Sequence, residues 1–160
     1  MTPALPPPVL AAALAFLQGL DSATALDPAL ATAIDAASEP WGVTPEALAV
    51  ELADAPATQV LDVRRAAVFA QARQQIPGAR WCDPVQVGLA QALAMSSDDA
   101  RARRIVYCVY GHAVSRAVVL TLRAQGQDVR FLRGGMAAWL AAGRPVVTPD
   151  AMAGPSGAQA

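Results

Sequence analysis

Between residues 59 and 141 short apolar runs of strand length alternate with stretches of helix length, and this alternation restricts the fold more than any other feature. "RIVYCV" (104–109) is β-branched and apolar and reads as the strongest strand. "QVLDV" (59–63) and "DVRFL" (128–132) read as two more, and "IPGARW" (76–81) as a turn leading into another. Helices are predicted at about 66–74, at 84–94 and from Ser115 to Gln125, with Gly126 at the C′ position. "SSDDARA" is a polar connection, and Gly134-Gly135 opens a last helix through Trp139, ended by Gly143 and Pro145. Strands alternating with helices specify an α/β domain with a mainly parallel sheet. Sites in such sheets gather at the carboxyl ends of the strands, where Cys108 falls.

Upstream of this pattern, Thr44 and Pro45 form an N-cap and first-turn proline for a helix through about Ala53. Residues 1–40 form a helical N-terminal extension. "PALPPP" reads as an extended lead-in, and residues 9–18 as a helix with Leu10, Ala13, Leu14 and Leu17 on one stripe. Asp27-Pro28 starts a second helix over 28–37. The stripe must bury against the rest of the chain or against a partner, including a second copy of it. The motif-bearing domain occupies 41–147, and residues 148–160 have the small polar composition of a flexible tail.

Charge is distributed unevenly. Residues 1–62 carry eight acidic groups and no basic one, whereas 63–160 carry twelve arginines and five acidic groups, for a net charge of −1. The near-zero total argues against nucleic acid as a partner. An arginine-rich half suits a small anionic substrate, or it is the surface on which the acidic half docks. Two cysteines make no disulfide framework, and no CxxC or Cys/His cluster points to a metal. The apolar run Val9 to Leu17 is about half of the ~18 residues that span a bilayer, and no basic residue precedes it as in a signal peptide. The expectation is a cytoplasmic protein with reduced thiols and no membrane partner.

The chemistry-bearing candidate is "YCVYGHAVSR" (107–116). A cysteine between a strand and a helix is either a small hydrophobe or a nucleophile whose thiolate is favoured by loop amides and the helix dipole. Gly111 lets the loop curl, and Ser115 is predicted to cap the helix that follows. Residue types alone leave both readings open.

The wider pattern is more specific. The "DVR" strand end (62–64), the "IPGA" turn (76–79), the "VYC-x-x-G" loop and the closing "GG-x-x-x-W-x-x-x-G-x-P" (134–145) occur in one order over residues 41–147. Together they resemble the rhodanese-like domains of the sulfurtransferase superfamily. The resemblance implies a five-stranded parallel sheet flanked by helices, with Cys108 as the persulfide-forming residue. It further implies a sulfurtransferase that takes sulfane sulfur from thiosulfate or a related anion and passes it to a thiol or cyanide, with no cofactor. The amides of Val109, Tyr110, Gly111, His112, Ala113 and Val114 would stabilise the persulfide charge. The alternative within the family is a non-catalytic module that carries sulfur or senses oxidants.

The serine stands seven positions after Cys108, one more than in the usual family loop. The loop is therefore expected to be wider and able to admit a bulkier oxyanion, and it resembles a variant of rhodanese-like proteins associated with chromate resistance. Phosphatases and arsenate reductases of similar architecture use C-x5-R, and that arginine position holds Val114. Remaining candidates each carry two readings. His112 binds the anion or is a surface residue; Arg116 contacts substrate or lies in solvent; Arg64 faces the substrate or does not. Asp62 is read as holding loops by hydrogen bonds, and Trp81 and Trp139 as core. Cys82, one strand removed from Cys108 in the family's order and so ~10 Å away, is beyond disulfide reach.

Overall fold

The computed structural model describes residues 7–19, 27–55, 57–86 and 103–149. The strands are β1 (Gly42–Val43), β2 (Gln59–Asp62), β3 (Arg80–Trp81), β4 (Arg104–Tyr107) and β5 (Val129–Leu132). They form one sheet in the order β1-β5-β4-β2-β3, and every pairing is parallel. The helices among the described residues are α1 (Pro7–Gln18), α2 (Pro28–Ser38), α3 (Pro45–Asp54), α4 (Ala66–Ala70), α5 (Ala113–Arg123) and α6 (Gly135–Ala141). Glu39–Trp41 and Pro84–Gln86 are 3-10 turns.

Side chains alternate across the pleat, so β2, β4 and β5 each feed two cores. Leu61, Val63, Val106, Val129 and Phe131 pack with α1, α2 and α5 through Ala13, Leu17, Ile34, Val118 and Leu122. Val60, Ile105, Tyr107 and Leu132 face α3 and α6, where Leu48, Met136 and Trp139 are buried. The burial of β4 on both faces explains why "RIVY" is apolar without alternation.

Ala13 and Leu17 of the N-terminal stripe bury inside their own chain, and Leu10 and Leu14 are half-buried. Ala13 and Leu17 reach the first core, with Val9 and Phe16 packed against it. Capping follows the sequence: the Asp27 side chain accepts from the Ala29 amide and the Thr44 hydroxyl from the Ala47 amide. Pro7 and Pro8, expected to be extended, instead occupy the first turn of α1, where a missing amide hydrogen costs nothing.

Two further expectations change. The helix predicted over 66–74 ends at Ala70. Downstream, Gln75 forms an antiparallel bridge with Val147, and the Gln74 carbonyl accepts from Arg64 Nη2, which draws the segment out of helical conformation. The helix predicted over 84–94 begins as the 3-10 turn Pro84–Gln86, and its remainder lies outside the described residues, as do the whole of "SSDDARA" and the tail beyond Pro149. The two-residue strand β1 was not legible as a strand in "WGV", being too short to show a period. It pairs with β5 at Phe131 and Leu132.

The acidic half docks on the arginine half. Glu39 pairs with Arg116 and Arg133, Asp35 with Arg116, and Glu51 with Arg130. Among the described residues no helix is long and apolar enough to cross a membrane.

Candidate active site

The connection after β2 leads toward β3 and that after β4 toward β5, so the chain leaves the carboxyl ends of β2 and β4 in opposite directions, the switch point of the sheet. Cys108 follows β4 at this point, 7% exposed. Residues 109–112 then turn the chain into α5.

The loop's shape is dictated by the turn Gly134-Gly135 behind it. Gly111 has φ 72°, and a Cβ there would lie 2.6 Å from the Gly134 nitrogen and 2.9 Å from the Leu132 oxygen. At Gly135 a Cβ would strike the Cys108 oxygen at 2.4 Å. Only glycine at both positions lets the two turns touch.

That contact orients the loop's peptides. The Met136 amide donates to the Cys108 carbonyl at 2.9 Å, the Ala137 amide to the Val109 carbonyl at 2.9 Å, and Arg116 Nε to the Gly111 carbonyl at 3.0 Å. In a trans peptide C=O and N–H point in opposite directions. Drawing these three carbonyls outward therefore aims the N–H groups of Val109, Tyr110 and His112 the other way. Among the described residues none of the N–H groups of residues 109–115 meets a protein acceptor. His112 is the N-cap of α5 and provides no side-chain cap, so the first-turn amides of Ala113, Val114 and Ser115 also remain open. A crown of donors at a helix N-terminus is suited to a sulfur-borne negative charge.

Ser115 does not cap the helix as expected. The helix begins two residues earlier, at Ala113, so Ser115 sits fully buried in its first turn. Its Oγ accepts the Cys108 thiol hydrogen, Sγ to Oγ 3.2 Å. Four residues, 109–112, separate Cys108 from the helix.

The two candidate arginines point elsewhere. Arg64 is 5% exposed and makes a bidentate pair with Asp62, Nε at 2.9 Å from Oδ1 and Nη2 on Oδ2. Asp62 also accepts from the Arg64 amide at 3.1 Å and from the Tyr107 hydroxyl at 3.1 Å. Asp62 and Arg64 thus form one buried pair, which Arg64 Nη2 ties to the Gln74 carbonyl and Gln75 Nε2 to the Asp62 carboxylate. Burial, reinforced by the neighbouring Asp62 carboxylate, pushes the Tyr107 phenol up, so it stays a donor. The Arg116 side chain is only 13% exposed and does not lie in solvent. Its guanidinium stacks 4.3 Å over Phe131 and donates to α2. Val114 stands at the position of the C-x5-R arginine, and the Arg116 guanidinium is engaged by α2 and Glu39.

Tyr110 and His112 are the exposed side chains of the loop, Tyr110 62% exposed, their ring centroids 6.4 Å apart. Cys82 follows β3, with β2 between it and β4, and both cysteines are free. Burial pushes the Cys82 thiol up. Trp139 is core, whereas Trp81 is half-buried and stacks on Phe69 at 5.1 Å. The sequence reading missed the backing role of Gly134-Gly135, although the adjacent glycines were visible, and it missed the Tyr107 hydroxyl altogether.

Comparison with known proteins identifies the family of the domain. Residues 44–142 match the family described as rhodanese-like domain. A thiosulfate sulfurtransferase from Pseudomonas aeruginosa is 32% identical over 66% of this chain, with a TM-score of 0.50, and the match covers 19% of that protein's length. A rhodanese-like domain protein from Staphylococcus aureus is 26% identical over 61% of this chain and 89% of its own, TM-score 0.51. A rhodanese-related protein from Thermoplasma volcanium shares the fold at 22% identity, covering 66% of this chain and 96% of its own, TM-score 0.54. No curated protein matches the chain.

Proposed function

Since the chain belongs to the rhodanese-like domain family, we propose that it transfers sulfane sulfur through a persulfide on Cys108, with thiosulfate or a related anion as donor and a thiol or cyanide as acceptor. The observation that carries this reading is the crown of unpartnered amides from Val109 to Ser115 around the end of β4. In the first step the Cys108 thiolate attacks the outer sulfur of thiosulfate. A Cys–S–S bond forms, the sulfur–sulfur bond of the donor breaks, and sulfite leaves with its electron pair. In the second an acceptor thiolate or cyanide attacks the outer sulfur and the Cys108 thiolate departs. Negative charge on sulfur develops in both steps, where preorganised donors act most strongly. Ser115 accepts the thiol hydrogen at rest, and its hydroxyl can rotate to donate once the sulfur is charged.

Intact-mass analysis after thiosulfate exposure tests the reading. One added sulfur, mapped to Cys108 and removed by cyanide, is expected; sulfur on Cys82, or none, rejects it. A second reading has one observation in its favour. Arg64 and Arg116 are both held in ion pairs within the chain, with Asp62 and Glu39, which leaves them less free to hold a small anion. A sulfur-carrying module loaded by a persulfide-bearing donor fits that feature. It differs by accepting sulfur from such a donor while showing no turnover with thiosulfate.

A further inference from the structure

Arg116 occupies a place that neither core packing nor substrate binding requires. Its side chain is 13% exposed. Nε donates to the Gly111 carbonyl at 3.0 Å, and Nη1 donates to the Asp35 carbonyl at 3.1 Å, to Ser38 Oγ at 3.2 Å and to Glu39 Oε1 at 3.1 Å. The Asp35 carboxylate lies 3.6 Å from Nε. One planar cation therefore holds the catalytic loop with one edge and the end of α2 with the other. A guanidinium can do this because its donors diverge from a rigid plane, and Phe131 beneath it fixes that plane.

The Gly111 carbonyl belongs to the same peptide as the His112 amide. Gly134 crowds Gly111 from the other side, so the peptide is clamped between a backbone wall and a charge anchored on the N-terminal segment. We propose that Arg116 is a positioning residue for the reaction, and that through it α2 and the turn after it aim the His112 amide at the sulfur of Cys108. This rests on the sulfurtransferase reading for its consequence in turnover. The N-terminal segment thereby becomes part of the catalytic device, although it contributes no group that touches the substrate.

The test compares the full-length protein with Arg116→Met, Arg116→Lys and Glu39→Gln, each checked for native melting. Two measurements are made: thiosulfate-dependent loading of Cys108, and iodoacetamide alkylation of Cys108 at neutral pH read by peptide mass. Arg116→Met is expected to lower kcat for loading by roughly 10-fold with KM changed less than about 2-fold, as for a misaimed donor in an oxyanion-type site. Arg116→Lys should not restore it, because a single ammonium cannot hold both edges. Glu39→Gln supplies the sign: removing a negative charge would speed anion attack by electrostatics alone, whereas loosening the clasp slows it by about 2- to 3-fold. Alkylation should slow in the same order. A wild-type protein that takes no sulfur from thiosulfate defeats the sulfurtransferase reading, and the alkylation rates then decide this one. Equal rates in all variants, full rescue by lysine, a loss confined to KM, or faster loading in Glu39→Gln overturns the positioning role. Should Arg116→Met fail to fold, Arg116→Lys and Glu39→Gln carry the decision.

Discussion

The hydroxyl of Ser115 lies 3.2 Å from the sulfur of Cys108, buried completely in the first turn of the helix that the loop feeds. It is the only side chain among the described residues that hydrogen-bonds to that sulfur. Ser115→Ala is therefore expected to slow persulfide formation by roughly 3- to 10-fold while costing about 1 kcal/mol of stability, the usual worth of one hydrogen bond. Single-turnover loading and urea unfolding on one sample separate the two effects. Unchanged loading would assign the hydroxyl to packing alone.

The cysteines should behave differently. Cys108→Ser is expected to abolish sulfur transfer, and Cys82→Ser to leave most of it. β2 separates their strands, and burial pushes the Cys82 thiol up, so at neutral pH it stays protonated and a poor nucleophile. Comparable losses from both substitutions in a cyanide-coupled assay would point to a two-cysteine cycle.

Leu17→Ala should destabilise the whole domain. The side chain is 1% exposed and packs in the same core as Val118 and Phe131. Truncating a buried leucine costs about 2–5 kcal/mol. One cooperative transition shifted to lower denaturant is expected. An unaltered main transition would mean that α1 is an independent appendage.

Acid should weaken the contact between α3 and β5. Burial raises the Glu51 carboxyl, but hydrogen bonds from Arg130 and Thr58 outweigh it and hold the group below its usual 4.5. With the folded value below the unfolded one, the contribution is complete above the unfolded value and disappears as pH falls through the folded one. Melting temperature measured against pH should therefore drop more steeply below about pH 4.5 in the wild type than in Glu51→Gln. Parallel curves would show that the pair adds nothing to stability.

Strand and helix order, the caps at Asp27 and Thr44, and the place of Cys108 after the strongest strand were legible because they depend on neighbours a few residues apart. Period, turn chemistry and proline position are local properties of the chain. The rhodanese-like pattern was legible for a related reason: its glycines and its cysteine answer to backbone conformations that few residues adopt. Side-chain destinations were not legible. Arg64 and Arg116 look alike as arginines beside the site, yet one closes on Asp62 two residues away and the other reaches 77 residues back to Glu39. Ser115 reads as a cap by residue type, but the helix starts early and turns it toward the sulfur. Long side chains choose partners by distance in space, which only the packing of α1 and α2 onto α5 brings within reach. The crown of amides, too, exists only once Gly134-Gly135 lies against the loop, a contact between turns more than twenty residues apart.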